Sequence, residues 1–86
     1  MNAITKISAP LRISELAAAV GVDSETIRYY EKTGLLPPPA RSDNGYRAYG
    51  QAHVQRLAFI RHCRSLDIPL ADIQQLLTLL DDPKAD

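Results

Sequence analysis

Aromatic residues are scarce in this chain of 86 residues, with one phenylalanine and four tyrosines, so its core must be built mainly from Leu, Ile, Val and Ala. A single cysteine, Cys63, excludes an internal disulfide and fits a reducing compartment. No apolar run approaches the roughly 20 residues that a membrane helix needs, and the N-terminus has no signal-peptide pattern. The expected location is therefore the cytoplasm, with no membrane partner. Also missing are a glycine-rich phosphate loop, a nucleophile elbow and a pair of carboxylates in apolar surroundings, so no enzyme is expected and no catalytic residue is assigned. Metal shells gather several thiolates or imidazoles, whereas Cys63 has only His62 nearby and lies on an inward stripe. It is expected to be a packed core thiol, and no metal or cofactor is assigned to this chain.

Net charge is absent as well: ten Lys and Arg balance ten Asp and Glu. The distribution is uneven. Residues 1–40 are balanced, but residues 41–64 hold Arg41, Arg47, Arg56, Arg61 and Arg64 against Asp43 alone. Residues 65–86 hold Lys84 against five aspartates. A polyanion responds to the local field and not to the sum, so the middle third is a candidate phosphate-contact region.

What is present is mostly helix. Residues 1–10 lack a clear period and are expected to form a flexible arm, with a single domain following over residues 11–86. Ser14 is the expected cap of a first helix carrying Ile13, Leu16 and Val20 at helical spacing, with Gly21 as its stop. Asp23 or Ser24 caps a second, "ETIRYYEKTG", ended by Gly34. Two short helices around a glycine turn form a helix-turn-helix signal. "LLPPPA" is a stiff connector that cannot be helical. "RSDNGYRAY" then carries an Asn-Gly pair, a strong tight-hairpin signal because both residues accept positive φ. A third helix is expected from Gln51 to about Leu66, with Val54, Leu57, Ile60 and Cys63 inward. Asp67 and Pro69 mark a break. A fourth helix follows, with Leu70, Ile73, Leu77 and Leu80 as its stripe, broadened by Leu76; Asp81 and Asp82 read as its solvated end. The fold class is mainly α: a winged helix-turn-helix of four helices and a short two-stranded β-hairpin wing.

The second helix of such a motif meets base edges in the major groove, which nominates Ser24, Thr26 and Arg28, along with Glu25. Of Tyr29 and Tyr30 one should pack inward and the other donate to phosphate; Tyr30 is the nominated contact. In the wing, Arg41, Ser42, Asn44, Tyr46 and Arg47 can all donate to phosphate oxygens. Arg61 and Arg64 share a face of the third helix and extend the footprint.

"TIRYYEKTGLL" and "RSDNGYR-Y", at their spacing and followed by "HVQRLAFIRHCRSLDIPLADIQQLL", resemble the N-terminal DNA-binding domain of MerR-type transcriptional regulators over about Leu11 to Leu80. The wording is nearest to the lead, cadmium and related heavy-metal sensors. The resemblance implies a winged helix-turn-helix whose second helix pair is another DNA-contacting element, and sequence-specific binding to double-stranded promoter DNA. It further implies a homodimer on a palindrome with an overlong spacer, promoter distortion that acts indirectly on RNA polymerase, and a heavy-metal effector of the lead or cadmium type in the full-length regulator. By position it assigns DNA contacts to Thr26, Arg28 and Tyr30, to Arg41, Asn44, Tyr46 and Arg47 of the wing, and to Arg64. Glu25 stands where some relatives carry lysine, so base preference there does not transfer. The long dimerisation helix and the metal-binding loop of full-length regulators follow the matched region and are not in residues 1–86, so the chain is expected to be either part of a longer regulator or a short regulator that uses only this module. An excisionase-like architectural DNA-binding protein and a protein-interaction module using the fourth helix are the alternative functions.

Overall fold

A computed structural model describes residues 10–82, so the expected arm, apart from Pro10, lies outside the described residues. Helix α1 (Ile13–Val20) begins earlier than a Ser14 cap would allow. Leu11 is held extended by an antiparallel pairing with Tyr49, its N–H donating to the Tyr49 carbonyl at 2.8 Å and its carbonyl accepting at 2.9 Å. The chain therefore turns helical at once after Arg12, whose free backbone N–H donates to Glu15 Oε1 at 2.8 Å. Ser14 falls inside the first turn instead. Gly21, at φ +85°, ends the helix as expected.

Asp23 caps α2 (Ser24–Thr33), accepting from the Thr26 N–H at 3.0 Å. Gly34 stops α2 at φ +86°, and the Leu35 and Leu36 N–H groups return to the Tyr30 carbonyl at 2.9 and 3.2 Å. That turn drives both leucines inward, to 2% and 1% exposure. The front of the stiff connector is thus a core anchor, and only its prolines span.

The hairpin pairs β1 (Ala40–Arg41) with β2 (Arg47–Ala48) antiparallel, Ala40 opposite Ala48 and Arg41 opposite Arg47. Its turn differs from the two-positive-φ form expected of Asn-Gly. Only Gly45 is left-handed (φ +84°), while Asn44 is not. Gly45 N–H donates to the Ser42 carbonyl at 2.9 Å and Ser42 N–H to the Tyr46 carbonyl at 2.8 Å. This is a longer loop in which one glycine absorbs the reversal.

α3 (Gln51–Ser65) buries Val54, Leu57, Ile60 and Cys63, the stripe read from sequence. Asp67, at φ +62°, breaks the chain; Pro69 then precedes α4 (Leu70–Asp81). Ile73 and Leu77 are buried, but Leu80 is 69% exposed and Leu76 also faces solvent. Leu80 shares the angular position of Ile73 and Leu77. It falls in the last turn, however, where no described element covers it.

Two apolar clusters result. Leu16, Ala17, Ile27, Leu36, Tyr49, Val54 and Leu57 join the two-helix motif to the wing and α3. Leu35, Ile60, Cys63, Ile73 and Leu77 join α3 to α4. Tyr30 packs against both, so α2 is fixed to each half of the molecule. Cys63 is a free, buried thiol in the second cluster. Four helices with a two-stranded hairpin is the architecture expected from the sequence.

Candidate nucleic-acid interface

On α2, the half-buried Ser24 and the exposed Arg28 stand one turn apart, while the half-buried Thr26 lies around the helix from both. Tyr30 is the tyrosine that packs inward, whereas Tyr29 is 52% exposed, their ring centroids 6.1 Å apart. Arg64 reaches this end of α2 from α3: with Thr26, Tyr29 and Tyr30 it lines a shallow concavity of about 410 Å³. An Arg64 guanidinium N–H also donates to the Ile68 carbonyl at 3.0 Å, which steadies the side chain at the end of α3. Arg61 lies over the turn of the two-helix motif, since a β-carbon built on Gly21 would stand 3.6 Å from its Nε. Arg61 and Arg64 therefore both approach the helix-turn-helix.

In the wing Ser42, Asn44 and Tyr46 are exposed, and an Arg41 N–H donates to the Gly45 carbonyl at 3.2 Å across the loop. Arg47 does more than project outward. Its Nε is buried, with no hydrogen-bond partner among the described residues, and lies 3.6 Å from a Glu31 carboxylate oxygen. At that separation the attraction is that of opposite charges, too long for a hydrogen bond. The other Glu31 oxygen accepts from the fully buried Tyr49 hydroxyl. Burial, then the hydrogen bond to Glu31, raises the Tyr49 phenol above its ordinary range, while Arg47 and Arg28 pull it the other way. The ion pair between Arg47 and Glu31 thus ties wing to helix.

His53 extends this network from α3. Its Nδ1 accepts from the Gly50 N–H at 3.1 Å, so the Nε2 side donates to the Pro37 carbonyl at 3.2 Å. Its ring stands edge-on to Tyr49, centroids 5.2 Å apart. Glu31, Tyr49 and His53 carried no sequence signal for this role, because the three lie on three different elements. Arg56 leaves the basic group: it bonds Asp81 of α4. Asp81 is consequently an ion-pair partner and not merely the solvated end of a helix.

Hydrogen bonds from Thr26, its side chain first and then its N–H, hold the Asp23 carboxyl below the ordinary carboxylate range, and Arg56 does the same for Asp81. Below about pH 4 the unfolded chain takes up protons at these sites before the folded one. The stability they supply is therefore complete above the unfolded pKa and is lost as pH falls through the depressed folded values. Asp23→Asn keeps an acceptor for Thr26 but removes the proton. Its Tm should fall less steeply than that of the parent between about pH 5 and pH 2; parallel curves would remove Asp23 from the acid response.

The chain matches the family model described as "MerR HTH family regulatory protein" over residues 11–80. It belongs to the MerR family. It is 52% identical over 69 residues to the HTH-type transcriptional regulator ZntR homolog of Haemophilus influenzae, covering 80% of this chain and 51% of that one. Its fold is similar to the transcription regulator PbrR691 from Ralstonia metallidurans, solved in complex with lead(II), at 47% identity and a TM-score of 0.79 over 88% of this chain and 59% of that one. At 25% identity and a TM-score of 0.72, over 83% of this chain and 56% of the other, it also resembles HiNmlR, a MerR family regulator lacking the sensor domain, bound to promoter DNA. The chain thus spans about half the length of the curated relatives it matches. Among the described residues no group of three or more His, Cys, Asp or Glu stands together, so these residues do not fit the heavy-metal ion that the resemblance implies. Nor is any described helix long and apolar enough to cross a membrane.

Proposed function

We propose that this chain is the DNA-reading part of a transcriptional regulator, non-enzymatic, that binds double-stranded promoter DNA sequence-specifically through α2, the wing and the end of α3. One observation carries the reading: Arg47 of the wing lies 3.6 Å from Glu31 of α2, so the wing is held against the helix that bears the exposed Arg28. A helix for a groove and a wing for the adjoining backbone are thereby fixed to each other. Ser24, Thr26 and Arg28 read bases; Arg41, Ser42, Asn44, Tyr46 and Arg47 hold phosphates, joined by Arg61, Arg64 and, in place of the inward-packed Tyr30, the exposed Tyr29. The complex of HiNmlR with promoter DNA supports this use of the fold. In a longer chain the domain works as a cytoplasmic homodimer that distorts its promoter for RNA polymerase, in response to a heavy-metal ion. The ZntR-like relative and the lead(II) complex of PbrR691 support that assignment.

The test uses a duplex selected from a random pool and a duplex of random sequence, each titrated across a salt series. Arg28→Ala should weaken the selected site preferentially, by roughly 1–3 kcal/mol. Arg47→Ala should weaken both duplexes alike and lower the salt slope by roughly one. A parent chain with no salt-dependent affinity for either duplex would overturn the function.

A further inference from the structure

We propose that Arg12, outside the basic middle third and ahead of the two-helix motif, is a DNA-backbone contact, completing with Arg41 and Arg47 a cleft that seats one phosphodiester group. The inference rests on the DNA-binding reading above and adds a third element, the start of α1, to the interface.

A cleft of about 330 Å³ opens between the start of α1 and the wing, lined by Arg12, Ser14, Arg41, Tyr46 and Arg47 among others, and no carboxylate among the described residues lines it. Each guanidinium is held by a different partner. Arg41 donates to the Gly45 carbonyl, Arg47 lies against Glu31, and Arg12 sits over the Tyr46 ring with its guanidinium carbon 4.6 Å from the centroid. Only Arg47 has a carboxylate partner among the described residues. Glu15, the acid nearest Arg12 in sequence, accepts from the Arg12 backbone N–H. Two of the three positive charges are therefore uncompensated around one concavity, and like charges gathered in this way favour an anion between them.

The donor chemistry selects the anion. Guanidinium groups present forked N–H pairs matched to phosphate oxygens, and the Tyr46 and Ser14 hydroxyls can add donors to the same group. The cation–π contact over Tyr46 pre-orients Arg12 without using up its N–H donors. Continuity selects the source. Arg41, Tyr46 and Arg47 belong at once to this cleft and to the proposed wing contact, so a duplex lying along the wing brings its own backbone across the opening.

The test compares the 86-residue parent with Arg12→Ala, Arg12→Lys and Tyr46→Leu, each shown folded by circular dichroism, in salt titrations against random-sequence duplex. Arg12→Ala should lower the slope of log K against log salt by roughly 0.9, the value for one phosphate. Arg12→Lys keeps the charge and should restore most of that slope. Tyr46→Leu should fall between them, since it releases Arg12 without removing it. An Arg12→Ala slope equal to that of a DNA-binding parent would overturn this inference and leave the proposed function standing. Absence of duplex binding by the parent would overturn both. A third arm adds inorganic phosphate at constant ionic strength: saturable uptake, lost in Arg12→Ala while duplex affinity stays unchanged, would make the cleft a free-anion site and overturn the DNA contact.

Discussion

Glu31→Ala should destabilise the domain by roughly 1–3 kcal/mol or somewhat more, because it strands a buried phenol and removes the charge that faces Arg47. The Tyr49 hydroxyl is fully buried and donates to Glu31, and the buried Arg47 Nε has that carboxylate as its opposite charge. The phenol left unsatisfied accounts for roughly 1–3 kcal/mol, and the lost charge contact adds to it. Glu31→Gln retains an oxygen for the phenol but loses the charge facing Arg47, so it should fall between parent and alanine in urea unfolding. Tyr49→Phe removes the phenol that needs an acceptor. In the double variant with Glu31→Ala the losses should therefore sum to less than the separate values, by on the order of 1 kcal/mol. Strict additivity would mean that the phenol and the carboxylate are energetically independent. The same variant bears on recognition: a wing no longer tied to α2 should bind the selected duplex more weakly even where the domain stays folded.

Leu36→Ala is the second large effect, at roughly 2–5 kcal/mol. Leu36 is 1% exposed in the cluster that joins the two-helix motif, the wing and α3. Small domains hold only about 5–15 kcal/mol in total, and for this size each kcal/mol lost moves Tm by roughly 4–8 °C. A fall of at least about 8 °C is therefore expected. A fall within about 2 °C would return Leu36 to the role of a connector residue.

That leucine also shows where sequence patterns stop. The four helices could be read because each carries local signals: a cap at Asp23, stops at Gly21 and Gly34, and the Val54, Leu57, Ile60 and Cys63 stripe, whose period of three survives folding unchanged. Leu35 and Leu36 stand beside three prolines, and composition alone makes that stretch a spacer. They are core because the turn after Gly34 points them inward, and a turn's direction is not written in hydrophobic period. The start of α1 was displaced for a similar reason. Its boundary is set by Tyr49, far along the chain, pairing with Leu11. Among the site residues, the wing arginines were visible as a run of like charge, while the Arg47–Glu31 pair and the Arg56–Asp81 pair were not. Counting charge along a chain cannot show which arginines are already engaged by acids on another element. Arg12 gives no signal for the opposite reason: it stands alone in sequence and joins Tyr46 only in three dimensions.

The pairing of Leu11 with Tyr49 has a mechanical consequence. Tyr49 directly follows the second strand of the hairpin, and its backbone is clamped on one side by Leu11 while its side chain is anchored to Glu31. A load that pulls the wing away from the body is shared by both attachments. The wing is a strut, not a hinge. In the proposed DNA complex, such a strut and the helix beside it would present two grips at a fixed spacing, so adjustment between them would fall to the duplex, whose flexible steps can kink.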